Sequence, residues 1–102
     1  MRKARVFVKG IEAGILEEQP NKHYQFSYHA SYHNEPVSLT MPTTQTTYEF
    51  NHFPPFFDGL LPEGIMLEAL LRKYKLDKHD YFGQLLATGQ DLVGAVTLEE
   101  AL

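Results

Sequence analysis

The amino-acid sequence predicts an α+β fold for this 102-residue chain: a small antiparallel β-sheet, built from an N-terminal hairpin plus two or three further strands, with two to three α-helices in the C-terminal half. Three observations carry this expectation. Apolar residues alternate with period two in short runs from Ala4 to Met41, and from Phe56 onward their spacing becomes three and four. The double proline Pro54-Pro55 separates the two regimes.

The first run, Ala4 to Leu16, reads as two β-rich stretches with Val6 and Val8 on one face and a turn near Gly10, hence a hairpin. Gln19-Pro20-Asn21-Lys22 breaks the pattern, after which Tyr24, Phe26 and Tyr28 alternate with polar residues as a third, half-buried strand. Asn34-Glu35-Pro36 signals a turn, and Val37 to Met41 is expected to form a short fourth strand ended by Pro42. Thr43 to Thr47 reads as a polar surface loop leading into Tyr48, Phe50 and Phe53.

Leu67, Leu70, Leu71 and Tyr74 stand at i, i+3, i+4 and i+7, one apolar stripe on a helix from about Gly64 to Leu76. Asp77 is expected to cap a second helix with Asp80 in its first turn, with Phe82, Leu85 and Leu86 facing inward and Gly89 as its stop. Leu92 to Leu98, with Val93, Gly94 and Val96, is expected to return to the sheet as a final strand.

At this length the chain has room for one domain, residues 1–102, and one core that buries about 65% of the unfolded surface. The hydrophobic share of 43%, with seven Phe and six Tyr, supplies enough apolar surface to offset the entropy of ordering the chain. A formal charge of −4 opposes the phosphate neutralisation that drives nonspecific nucleic-acid affinity, so no direct binding of DNA or RNA is expected. The basic cluster Arg72, Lys73, Lys75 and Lys78 falls at an expected helix C-terminus, where the macrodipole favours cations. The absence of cysteine removes disulfides, thiol nucleophiles and thiolate metal sites and suits a cytoplasmic setting. No run approaches a membrane span, and Met1 to Lys9 lacks the apolar core of a secretion signal.

Chemistry-bearing motifs are sparse. No G-x-G-x-x-G occurs, and the five-residue spacing of Gly89 and Gly94 is followed by Ala95 and Val96 instead of the Lys and hydroxyl of a P-loop. Neither H-R-D nor D-F-G is present, so no catalytic residue and no cofactor are expected. His29 and His33, four apart, would share a face only in a helix, and this segment reads as strand and turn, so no metal site is expected. Asp58 and Glu63 flank a turn and are read as exposed turn and helix-start acids.

The unusual segment is Phe53-Pro54-Pro55-Phe56-Phe57-Asp58-Gly59-Leu60-Leu61-Pro62-Glu63-Gly64-Ile65-Met66, dense in apolar residues and stiffened by three prolines. Part of it must fill the core. Pro62-Glu63-Gly64 forces a turn, so Ile65 and Met66 are expected at the surface as apolar anchors. The candidate partner-binding residues are Phe57, Asp58, Gly59, Leu61, Pro62, Glu63, Gly64, Ile65 and Met66.

F-F-D-G-L-L-P-E-G resembles the signature of the N-terminal region of HipA-like kinases, in which an aromatic pair, an acid and L-L-P-(E/D)-G precede a helix. V-F-V-K-G-I-E-A-G-I-L is similar to that family's first hairpin, Y-Q-F-S-Y-H-A-S-Y to its third strand, and V-S-L-T-M-P to its S-L-x-L-P element. D-Y-F-G-Q-L-L-A-T-G-Q-D-L-V-G-A-V is similar to its closing F-x-L-L…G-x-D-x-x-G-A-(L/V). The matches follow the family's order across nearly the whole chain.

HipA-like proteins continue into a Ser/Thr kinase core, and this sequence stops at Leu102, so catalysis is not expected here. The resemblance implies a stand-alone, HipS-like antitoxin of a HipBST system, which binds and inhibits a HipT-like kinase toxin beside a HipB-like helix-turn-helix DNA-binding protein. It also implies docking on the kinase N-lobe, with inhibition coming either from the Leu61 to Met66 turn reaching the nucleotide cleft or from a wedging apart of the lobes. Relatives often carry a bulky aromatic just after P-E-G, where this chain has Ile65-Met66, so either residue is a candidate anchor. The alternative function is an accessory or activating N-terminal piece of a split HipA-like kinase.

Overall fold

The structure, a computed structural model, describes residues 1–92 and 94–101. Strand β1 (Lys3–Val8) and strand β2 (Ile11–Gln19) form an antiparallel hairpin closed by Lys9 and Gly10, both at positive φ. Two positive-φ residues make the primed two-residue turn whose twist matches that of paired strands, and Gly10 adopts it without strain. The register slips between Val6 and Phe7, so that Ala13 and Gly14, adjacent in sequence, are both buried. A side chain on Gly14 would stand 2.1 Å from the Ser27 carbonyl oxygen on the next strand, which restricts this position to glycine.

Pro20 to Lys22 link β2 to β3 (His23–Tyr28), and β3 pairs with β4 (Thr47–Phe50). The chain ends in β5 (Val96–Ala101), antiparallel to β1, which gives the sheet order β4-β3-β2-β1-β5. Between β4 and β5 lie the helices α1 (Pro55–Asp58), α2 (Gly64–Tyr74) and α3 (Tyr81–Thr88). The architecture is therefore α+β, as the change of apolar spacing predicts.

One sheet face carries the core. Ala4, Val6, Val8, Leu16, Tyr24, Phe26, Tyr28, Val96 and Leu98 are buried there beneath Phe57 of α1 and Phe82 and Leu85 of α3. Phe82 stacks on Tyr24 with ring centroids 6.4 Å apart, and Phe57 meets Phe26 at 6.1 Å. Each such buried side chain contributes roughly 1.5–3 kcal/mol by leaving water. Arg5, Gln25, Ser27, Thr97 and Glu99 point to the other, half-exposed face, the one-sided pattern usual for antiparallel sheets.

Three expectations are corrected. Val37 to Met41 is not a strand: Val37 and Met41 are buried, but Met41 N–H donates to Ser38 C=O at 3.0 Å, and this tight turn throws Leu39 outward, 93% exposed. The fourth strand is instead Thr47–Phe50. The helix after α2 is capped by Asp80, whose carboxylate accepts from Gly83 N–H at 3.1 Å, while Asp77 serves the preceding turn by accepting from His79 N–H. The last strand begins at Val96, and the expectation for Val93 lies outside the described residues.

Gly89 follows α3 as expected. The chain crosses β5 so closely there that Leu98 N–H donates to Gly89 C=O at 2.9 Å and a Cβ would stand 2.4 Å from the Leu98 carbonyl oxygen. No helix among the described residues is long and apolar enough to cross a membrane.

Candidate partner-binding site

The Pro-rich segment is anchored at its start and free at its end. Pro54 is fully buried and precedes Pro55, the first residue of α1, where a missing N–H costs nothing and the fixed φ suits a helix. Phe53 meets Tyr24 edge-on at 5.3 Å, and Phe56 meets Phe57 edge-on at 5.2 Å. Gly59 N–H donates to Pro55 C=O at 3.0 Å, and Leu60 and Leu61 N–H donate to Phe57 and Asp58 C=O at 3.1 Å, so the turn after α1 is tightly hydrogen-bonded.

The backbone then passes through Pro62 to Glu63, which is extended and precedes α2 without a side-chain cap, and to Gly64 at φ +59°. That φ, in the left-handed region, favours glycine at the first position of α2. Ile65 is 82% exposed and Met66 71% exposed. Two large apolar side chains are thus presented at the tip of a turn whose preceding residues have little freedom.

Of the nine candidate residues, Asp58, Gly59, Glu63, Gly64, Ile65 and Met66 are exposed, and Leu61 and Pro62 are half-buried. Phe57 is different: it is completely buried against Phe26 and Phe56 and has no surface to offer a partner. Its place among the partner-binding residues is therefore corrected to a supporting one beneath the turn. Asp58 and Glu63 lie on solvent, the surroundings of turn and helix-start acids.

A second feature extends the site beyond those residues. Helix α2 contains no buried residue, and its stripe Leu67, Leu70 and Leu71 is only half-covered, with Tyr74 46% exposed. Between α2, the turn after α1 and the chain following α3 lies an open groove of about 600 Å³, whose apolar lining includes Leu60, Pro62, Met66, Leu70, Tyr74 and Leu92. Met66 belongs both to the tip and to the groove, so the two form one continuous surface. Met66, Leu70 and Tyr74, at i, i+4 and i+8, mark the α2 wall in the sequence; Leu60 and Leu92 come from segments that only the fold brings together.

Among the described residues no group of three or more His, Asp or Glu side chains is arranged to hold a metal ion. His29 is engaged with the Glu12 carboxylate across the first hairpin and third strand.

A family model described as the HipA N-terminal domain matches residues 4–99. An "uncharacterized protein" of Haemophilus influenzae is 32% identical over 100 residues, spanning 98% of this chain and 93% of its own length. A solved structure titled "N-terminal domain of HipA toxin" superposes with a TM-score of 0.79 at 30% identity, covering 100% of this chain and 94% of that one.

Proposed function

Since the chain belongs to the HipA N-terminal domain family, we propose that it is an antitoxin subunit that binds and inhibits a HipA-like Ser/Thr kinase toxin of the HipT type. The setting is a cytoplasmic tripartite complex with a HipB-like helix-turn-helix DNA-binding protein. The observation that carries this reading is the tip formed by Ile65 and Met66, two apolar side chains held in water by a proline-braced turn. Exposed apolar anchors on rigid supports are the features that protein interfaces use, because little ordering cost is incurred on binding.

Two further facts support it. The HipA N-terminal domain is not the catalytic kinase domain, and this sequence holds neither a P-loop nor kinase motifs, which fits a binding role in place of an enzymatic one. The Haemophilus influenzae relative is itself a short protein, matched by this sequence over 93% of its length.

Inhibition then acts by docking on the kinase N-lobe in place of a fused N-terminal domain. The test is co-expression with a HipA-like kinase encoded beside this gene. Growth arrest by the kinase alone that is relieved by this chain supports the antitoxin. Arrest that appears only when both are present reverses the reading to an activating piece of a split kinase.

A further inference from the structure

Eight of the nine Lys and Arg side chains fall into two groups, and the ninth, Lys22, stands alone in the link between β2 and β3. Arg2, Lys3, Arg5 and Lys9, on or beside β1, each lie 2.6 to 3.3 Å from a carboxylate. Arg72, Lys73, Lys75 and Lys78, at the end of α2 and in the turn after it, are all exposed, and none forms an ion pair among the described residues. Asp77, beside them, is instead bonded to a backbone N–H, and the Lys73 ammonium rests 5.3 Å over the Tyr74 ring. Residues 64–79 hold four basic and two acidic side chains, a local excess of positive charge in a chain of net −4. The macrodipole accounts for cations at this end of α2. It does not account for an unneutralised cluster at the end of an apolar groove that one of its members, Lys73, itself lines.

Lys73 lines that groove on the α2 side, and Asp91 stands among the lining residues contributed after α3. The geometry points to the groove as the seat of an acidic amphipathic segment of the partner kinase. Its apolar residues enter between Leu60, Leu70 and Leu92, and its carboxylates meet Lys73 in the groove wall and the other cations of the cluster where the segment leaves the groove at the end of α2. This rests on the kinase-binding reading above and adds where, and by what chemistry, the kinase is held.

Area supports it, because a stable complex buries about 800 Å² on each partner, more than two side chains at a tip present, and the groove continues the tip's surface through Met66. A second copy of the chain is a poorer occupant. A two-fold pairing through this face sets the same patch on both sides, so the positive excess of residues 64–79 is doubled within one interface and not neutralised. The apolar lining and the overall negative charge likewise disfavour a phosphate backbone.

The experiment measures binding of the purified HipA-like kinase encoded beside this gene to the full chain, at about 50 and 300 mM salt, where screening of exposed charges differs strongly. The variants are Arg72→Glu/Lys73→Glu/Lys75→Glu and, separately, Ala69→Glu in the groove wall, with the tip untouched. The expected result is at least a tenfold loss of affinity for each. For the triple variant the loss lies mainly in the association rate, and the salt dependence of the wild-type complex disappears.

Circular dichroism confirms that each variant is folded, and Arg72→Gln/Lys73→Gln, which removes charge without reversing it, serves if the triple variant is not. Wild-type binding that both variants reproduce within twofold overturns the groove and leaves the kinase reading intact. A wild-type chain that does not bind the kinase removes both. Self-association of the wild type abolished by Ala69→Glu, or retention of a labelled DNA duplex at physiological salt abolished by the triple variant, assigns the face to another occupant and also overturns the inference.

Discussion

The guanidinium of Arg2 donates to both carboxylate oxygens of Asp80, at 2.8 and 3.3 Å, although the residues are 78 positions apart. Asp80 is at the same time the N-cap of α3, and Arg2 also forks onto Glu18 of β2 at 2.8 and 3.0 Å. One side chain thus ties the first strand, the second strand and the start of α3. Asp80→Ala should remove a cap worth about 1 kcal/mol, together with a part-exposed ion pair worth under about 1 kcal/mol. Asp80→Asn keeps a capping oxygen and should lose only the ionic part. Thermal melts compare the two, because 1 kcal/mol moves the midpoint of a domain this size by about 4–8 °C. Equal losses in both variants would show that the cap contributes nothing.

The same cluster sets an acid-side pH dependence. Hydrogen bonds from Arg2 hold the Glu18 and Asp80 carboxyls below their ordinary values of 4.5 and 3.8, with a lesser contribution to Asp80 from Gly83 N–H. Their folded values are depressed, so the stabilisation is fully present above the ordinary values and is lost as the pH falls through the folded ones. Urea midpoints of the wild type should therefore hold down to about pH 5 and then decline. Arg2→Ala should start lower and decline less steeply over that acid range. Parallel curves for the two proteins would rule out this linkage.

How much of this was legible in the sequence depends on whether the signal is local. The hairpin and β3 were legible because Val6 and Val8, and then Tyr24, Phe26 and Tyr28, alternate along one strand and face one core. Val37 to Met41 alternates equally well and misleads, because Val37 and Met41 are buried by a turn pinned to a distant tyrosine and not by strand pairing. Asp77 and Asp80 are both plausible caps in sequence, and the long-range partner Arg2 selects Asp80. At the site, the exposure of Ile65 and Met66 followed from Pro62-Glu63-Gly64, whereas the burial of Phe57 and not Phe56 depends on where Phe26 lies. The groove was not legible, since its walls come from three separate segments.

The pin just mentioned can be tested directly. The Tyr28 hydroxyl donates to Met41 C=O and accepts from Val37 N–H at 2.9 Å, both in a buried setting. Tyr28→Phe preserves the ring packed on Phe26 and Tyr32 and leaves two backbone groups without partners. The expected cost is about 1–3 kcal/mol, with faster amide exchange confined to the segment between β3 and β4. Unchanged exchange at Val37 would show that the hydroxyl is not what holds that segment.

The tip decides whether the kinase reading has its anchor in the right place. Ile65 and Met66 stand in the first turn of α2, are largely exposed, and pack in no core, so replacing both with Asp removes apolar surface without forcing charge into the interior. Carboxylates near a helix N-terminus are also favoured by its dipole. The free double variant should therefore melt at or slightly above the wild-type temperature. If these side chains are buried by the kinase, the complex should weaken by at least about 2 kcal/mol, the size of a hot-spot loss. Binding to the kinase and the melting temperature of the free chain are measured on the same preparation. A strongly destabilised variant would mean that the two residues support the fold after all. A stable variant that still binds and neutralises the kinase would move the anchor away from Ile65 and Met66, to the exposed turn at Asp58 and Gly59.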